Sequence, residues 1–319
     1  MFGSKTLLIT GGTGFFGQSF IKYCIKNKIK FKRIIIFSRD EFKQYEMQQI
    51  YDVKKYKFLR YFLGDIRDVD RLNMAFQDVD FIIHAAALKH VPAAEYNPME
   101  YIKTNIIGSQ NIIQASIMNK VKKVIALSTD KAASPLNLYG ATKLCLEKLF
   151  ISSNNYVGNQ NISFSCVRYG NVLGSRGSVL PLFLQQDKKN YFTITNHEMT
   201  RFNIMIEQCI EMILFVLKKS IGGEIFIPKL SSIRIVDLAK AINPKKKIKY
   251  IGSRPGEKIH EELVTYAESF NTYNFGRYYV ITDNKKLVKK LKKAKLKSGY
   301  NSKDNKFLSV DEIKKFIYK

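Results

Sequence analysis

The side chains best placed to do chemistry lie between Ser128 and Lys143. Tyr139-Gly140-Ala141-Thr142-Lys143 is a YxxxK pair, and that spacing puts Tyr139 and Lys143 on one face of a helix, one turn apart. The ammonium of Lys143 can lower the phenol pKa and bind the ribose of a hydride-accepting cofactor, so that the phenolate takes a hydroxyl proton while hydride leaves. YxxxK alone occurs by chance in many helices. Upstream, at the end of an expected strand, stands Ser128-Thr129-Asp130-Lys131, and that pairing is the specific signal. Thr129 can hydrogen-bond a substrate oxygen, or cap a short helical turn. Asp130 and Lys131 are followed by Ala-Ala-Ser-Pro, so an exposed turn pair is the competing reading.

Hydride chemistry needs a cofactor cradle, and the chain opens with one. The first apolar run leads into Thr10-Gly11-Gly12-Thr13-Gly14-Phe15-Phe16-Gly17, a GxxGxxG turn that starts a helix. Gly11, Gly14 and Gly17 give the turn its backbone freedom, its close approach to a pyrophosphate and its tight helix packing. The amides around Thr13, Phe15 and Phe16 face the phosphates at the helix N-terminus. At the end of the second expected strand, Phe37-Ser38-Arg39-Asp40-Glu41-Phe42-Lys43 has Arg39 where an NAD enzyme usually carries a carboxylate. Ser38 and Lys43 add donors suited to a 2′-phosphate, which points to NADP. Asp65 can take the adenine amino group while Ile66 covers the ring, and Ala85, Ala86 and Ala87 let the fourth strand approach the cofactor closely.

The elements that must position these groups alternate. LLIT, RIIIF, FLRYFLG, FIIHAAA, KVIALS, FSCVRYG and EIFIP read as strands with amphipathic helices between them, a pattern that builds a parallel sheet. The fold expected is α/β, a Rossmann-type doubly wound parallel sheet with a smaller C-terminal substrate lobe. Residues 1–173 should form mainly the Rossmann domain and 174–319 mainly the lobe, with 224–228 returning to the Rossmann part.

With these motifs the chain resembles the extended short-chain dehydrogenase/reductase family, in particular the soluble UDP-N-acetylglucosamine 4,6-dehydratases that invert C5. The resemblance covers most of the chain and rests on TGGTGFFG, FSRDEFKQYEM, HAAALKHVPAAEYNP, ALSTDKAASPLNLYGATK, VRYGNVLGSRGSV, TRF and RPGEKIHEEL. The region from about Asn203 to Gly222 diverges, and the part after Val264 aligns loosely until YNSKDNKFLSVDEIKKF. What the resemblance implies is NADP-dependent dehydration of UDP-N-acetylglucosamine to a UDP-2-acetamido-2,6-dideoxy-L-arabino-hex-4-ulose, the first step of pseudaminic acid synthesis. Tyr139 with Lys143 would oxidise C4, Lys131 would remove the C5 proton as a neutral amine, and a protonated Asp130 would release the C6 hydroxyl as water. Burial beside the cation of Lys143 would lower the pKa of Lys131 in the direction a neutral amine needs. Lys89, Asn171, Val172, Arg176, Ser178, Arg201, Arg254 and Glu257 would contact the UDP-sugar, Lys89 serving the cofactor as well. A C4 epimerase, another 4,6-dehydratase serving capsule or lipopolysaccharide sugars, and a redox-sensing regulator without turnover are the rivals.

Composition narrows the setting. The formal charge of +26 over 319 residues raises the question of a polyanion partner, but the lysines are spread along the whole chain, so no nucleic-acid binding is expected. No apolar run reaches the ~18 residues of a membrane span. Four widely separated cysteines without a CxxC pair indicate neither a disulfide framework nor zinc. A cytoplasmic homo-oligomer, with a hexamer as one form, and no stable membrane insertion are the expectations. The lysine-rich segment Lys285 to Lys297, with Leu287, Leu291 and Leu296 as an apolar face, reads as a solvated helix face, with a basic membrane-surface helix as the alternative.

Overall fold

Every strand expected in the first half forms, because a continuous apolar run of four to seven residues is what a strand buried on both faces requires. The structure, a computed structural model, describes residues 2–175 and 177–318. It begins with β1 (Thr6–Thr10), α1 (Phe15–Lys26), β2 (Arg33–Ser38), α2 (Glu41–Ile50), β3 (Leu59–Leu63), α3 (Val69–Ala75) and β4 (Phe81–His84). After α4 (Val91–Tyr96), α5 (Pro98–Tyr101) and a π-helical turn over Ile102–Ile107 come α6 (Gly108–Met118), β5 (Lys123–Thr129), α7 (Leu138–Ser153) and β6 (Ser163–Tyr169). The sheet runs β3, β2, β1, β4, β5, β6, then Ile225–Pro228, all parallel. This is a Rossmann-type α/β sheet, with its order reversing between β1 and β4.

Helices cover both faces. Phe37, Leu72, Ile112, Leu146 and Phe150 close one apolar layer, and Phe20, Ile21, Cys24, Ile210, Ile213 and Val216 close the other. On α1 the buried residues are Gly17, Phe20, Ile21 and Cys24, the i, i+3, i+4, i+7 stripe of an amphipathic helix.

The C-terminal half divides its residues. Phe183, Phe192, Ile194, Ile233, Leu238 and Ile313 form a separate small core, supported by a three-stranded sheet of Ser232–Arg234, Thr200–Ile204 and Asn171–Val172. Besides 225–228, the main sheet also takes Tyr278–Ile281, Thr272–Phe275 and Lys292–Lys293, each antiparallel to its neighbour. The lysine-rich segment is therefore no single helix. It makes one turn over Lys285–Val288 and then an edge strand, with Leu287 buried and Leu296 packed on the core. Leu287 and Leu296 face the protein, and the turn and edge strand replace the single helix that a membrane-surface face needs. Among the described residues no helix is long and apolar enough to cross a membrane.

Candidate active site

The carboxyl ends of β1, β2, β4, β5 and β6 open into one cleft of about 1200 Å³. That exceeds the ~300–1,000 Å³ typical of a single small-molecule pocket, which leaves room for two ligands end to end. The strand order reverses at this edge, where doubly wound sheets bind their ligands.

The first half of the cleft is a backbone cradle. Gly11 stands at φ +65°, and a Cβ there would lie 2.9 Å from Ala86 Cα. The approach is fixed by Thr10, whose hydroxyl accepts from the amides of both Ala85 and Ala86 and pairs with His84 Nδ1 at 2.8 Å. Gly17 lies under the turn, where a Cβ would meet the Gly12 carbonyl at 2.1 Å. No side chain caps α1, so its first amides are available to an anion. Thr13, Gly14, Phe15, Phe16, Ser38, Arg39, Lys43, Asp65, Ile66, Ala85, Ala86, Ala87 and Lys89 all line this half. Thr13 donates to Ser38 at 2.9 Å. Lys43 pairs with Asp40, and Asp65 holds Arg67 at 2.8 Å with Arg39 at 3.7 Å. Arg39 is half exposed and free to turn toward a phosphate. These residues fit a dinucleotide.

The second half carries the acid–base groups. β5 ends at Thr129, whose hydroxyl accepts from the Lys131 amide and starts the tight turn Asp130–Ala132. Thr129 caps the turn, donates to Asp130 Oδ1 at 2.9 Å, and bonds the Tyr139 hydroxyl. Lys131 Nζ stands 3.1 Å from Asp130 Oδ1 and 3.2 Å from Glu261 Oε1. Both carboxylates are almost fully buried, so Asp130-Lys131 is no exposed turn pair. Burial raises the Asp130 carboxyl, against the pull of Lys131, with Glu261 adding to the rise.

Two electrostatic expectations are corrected. Lys131 is not pushed toward neutrality by Lys143. Burial does lower it, but the carboxylates of Asp130 and Glu261 outweigh burial and hold it above the usual lysine range. The lysine that burial depresses is Lys143 itself, to about 8. Likewise the phenol of Tyr139 is raised by burial to about 12, and the cation easing it down is Lys131.

Of the sugar-contact residues, Lys89, Asn171, Val172, Ser178, Arg201, Arg254 and Glu257 line the same cleft, and Arg176 lies outside the described residues. Arg201 is committed in part to the backbone, donating to the carbonyls of Lys258, Ile259 and Thr200. The side-chain oxygens of Ser128, Asn171, Ser178 and Thr104, with Asp130 Oδ2 and Glu261 Oε2, are buried without a protein partner and belong to cleft-lining residues. Buried polar atoms of this kind suit a polar ligand. Sequence reasoning missed Glu261 and Asn105. Asn105 sits on the π-helical turn, bonds both backbone groups of Leu88 and the Thr142 hydroxyl, and so ties the loop before Lys89 to α7.

Residues 7–283 match the model of a family described as polysaccharide biosynthesis protein. The chain belongs to that family. It is an enzyme of the extended short-chain dehydrogenase/reductase kind. It is 53% identical over 291 residues, 90% of its own length and 86% of the relative's, to the UDP-N-acetylglucosamine 4,6-dehydratase (inverting) of Campylobacter jejuni subsp. jejuni. It is 42% identical over 331 residues, 99% of its length and 96% of the relative's, to the UDP-glucose 4-epimerase of Rickettsia bellii. Among solved structures, Pen from Bacillus thuringiensis superposes with a TM-score of 0.90 at 39% identity, covering 99% of both chains. The chain thus shares its whole fold with Pen.

Proposed function

We propose that this enzyme dehydrates UDP-N-acetylglucosamine across C5 and C6 after oxidising C4, inverts C5, and uses NADP. The observation that carries the reading is the Thr129-Asp130-Lys131 turn set against Tyr139 in one cleft. A C4 epimerase needs only Tyr139 and Lys143. A buried amine beside a buried carboxyl of raised pKa serves a second proton transfer, which favours dehydration over the epimerase named for the Rickettsia relative.

NADP, when bound, supplies the hydride acceptor for C4 and the donor for C6. Arg39, with Ser38 and Lys43 beside it, selects the 2′-phosphate; Asp65 and Ile66 hold the adenine, and Lys143 the nicotinamide ribose. Tyr139 takes the C4 hydroxyl proton, its phenolate eased by the charge of Lys131. The ketone formed at C4 acidifies C5–H. Lys131, as the amine, removes that proton, and Asp130, as the acid, gives its proton to the C6 hydroxyl, which leaves as water; with hydride returned to C6, C5 takes a solvent-derived proton on the opposite face, which inverts it. Lys89, Asn171, Val172, Arg176, Ser178, Arg201, Arg254 and Glu257 orient the UDP-sugar, the small C-terminal lobe serving as its binding unit. In this reading the step opens pseudaminic acid synthesis and is carried out in the cytoplasm by a homo-oligomer.

Lys131→Ala tests the assignment. Lys131 removed, C4 hydride transfer should persist while solvent deuterium no longer enters C5 and water loss falls by a factor of ~10² to 10⁴, the usual contribution of a positioned base. Normal labelling and normal water loss in the variant would take Lys131 out of the mechanism.

A further inference from the structure

The dehydratase reading leaves a buried charge of the cleft, Glu261, without a task. Glu261 arrives from the segment after the lobe's cleft-facing Arg254–Glu257 stretch, and its backbone is fixed on both sides by Ser302, whose hydroxyl accepts from the Glu261 amide at 2.9 Å and whose own amide donates to the Glu261 carbonyl at 2.8 Å. Ser302 in turn bonds Thr200 at 2.7 Å. The carboxylate is 2% exposed, with Oε1 at 3.2 Å from Lys131 Nζ and 3.8 Å from Arg201 Nε. A buried carboxylate is costly to hold, and pairing with Lys131 and Arg201 offsets that cost.

We propose that Glu261 is a positioning residue that keeps one shared proton within the Lys131–Asp130 pair. The inference rests on the dehydratase reading and deepens it. Two carboxylates flank one ammonium, and their surroundings differ. Burial raises Glu261 too, but Lys131, Arg201 and Lys258 together hold it below its usual range, whereas Asp130 stays raised. Glu261 is therefore the fixed anion, and the proton is divided between Lys131 and Asp130. At rest the pair is ammonium and carboxylate. Transfer of one proton from Lys131 Nζ to Asp130, across 3.1 Å, converts it into the amine and the carboxylic acid that C5 deprotonation and water loss need. When the amine has taken the C5 proton and the acid has given its own to the departing hydroxyl, the pair is ammonium and carboxylate again. No proton is exchanged with solvent in that sequence. An anionic Glu261 favours the proton on either member equally in sign, so it opposes only loss of the proton from the pair.

The charged and titratable groups around Lys131 are Asp130, Glu261, Arg201, Lys89, Lys258 and Tyr139. Among them Glu261 and Asp130 are the anions that raise Lys131. The test is the pH profile of kcat/KM for UDP-N-acetylglucosamine dehydration in the NADP-loaded parent and in Glu261→Gln. Loss of the anion should move the basic limb down by about 1 to 3 pH units, the effect of one opposite charge within hydrogen-bonding reach. A lowered rate with an unmoved limb would overturn the proposal and leave the dehydratase reading standing. Should Glu261→Gln not fold, Glu261→Asp reads the same limb, which should drop by less than a unit as the anion withdraws by one methylene; an unshifted limb there contradicts the proposal equally. A parent that forms no dehydrated sugar would sink the dehydratase reading and this inference with it.

Discussion

At the scale of single residues, the type and spacing of side chains were readable where a motif is local and were not where a partner comes from far along the chain. Tyr139 and Lys143 sit one turn apart on α7, and Asp130 and Lys131 are adjacent, so their chemistry could be stated from the sequence. Glu261 is 130 positions from Lys131, and no spacing rule links them; its effect reverses the expected direction for Lys131. Asn105 was hidden for another reason, since a π-helical turn leaves no simple sequence signature. In the proposed reading Arg39 carries the cofactor preference. Its guanidinium stands 3.7 Å from Asp65 and is half exposed, so replacing it should alter a ligand contact and not the fold. Arg39→Asp should reverse the preference from NADP to NAD by repelling the 2′-phosphate, as read by titrating both cofactors into parent and variant. Equal affinity of the parent for both would remove Arg39 from phosphate recognition.

At the scale of elements, the parallel strands were legible to within a residue or two because burial on both faces demands continuous apolar runs. The lysine-rich segment was not, since three leucines at mixed spacing fit a helix stripe as well as a turn and an edge strand. What matters for chemistry is how elements meet. Helix α7 begins with Asn137 accepting from the Gly140 amide, and Gly140 presses against the turn that bears Lys131: a Cβ there would lie 2.3 Å from the Lys131 carbonyl oxygen. The nearest atoms it would meet are backbone, so one element must shift. Gly140→Ala should therefore cut dehydration at least tenfold while cofactor affinity, set by β1 and α1, changes little. A variant with parental turnover would show that the turn and α7 need not stay in register. An equal loss of cofactor affinity would point to general disruption.

At the scale of the whole molecule, the Rossmann sheet and the C-terminal segment are joined by a buried ionic cluster. Arg168 on β6, fully buried, pairs with Glu147 of α7 at 2.6 Å and with Glu268 at 2.8 Å, and donates to the Leu263 carbonyl. Glu268 would be raised by burial, yet Arg168 holds it below its usual range. A carboxyl with a depressed folded pKa adds stability above its unfolded value of ~4.3, and loses that contribution as pH falls through the folded value. Arg168→Met should cost about 3 to 5 kcal/mol, because it strands a fully buried Glu147, and a thermal melt reads this as a large drop in Tm at neutral pH that narrows in acid. A melt that matches the parent would show that the cluster is not what joins the two parts. The fold itself brings Lys131, Asp130, Tyr139 and Lys143 into one cleft, and the product made there decides what they do. Proton NMR of UDP-N-acetylglucosamine incubated with the protein in heavy water reads it directly: the account predicts a 4-keto sugar with a new C6 methyl group and deuterium at C5, whereas a C4 epimer with its C6 hydroxymethyl and C5 proton intact would contradict it.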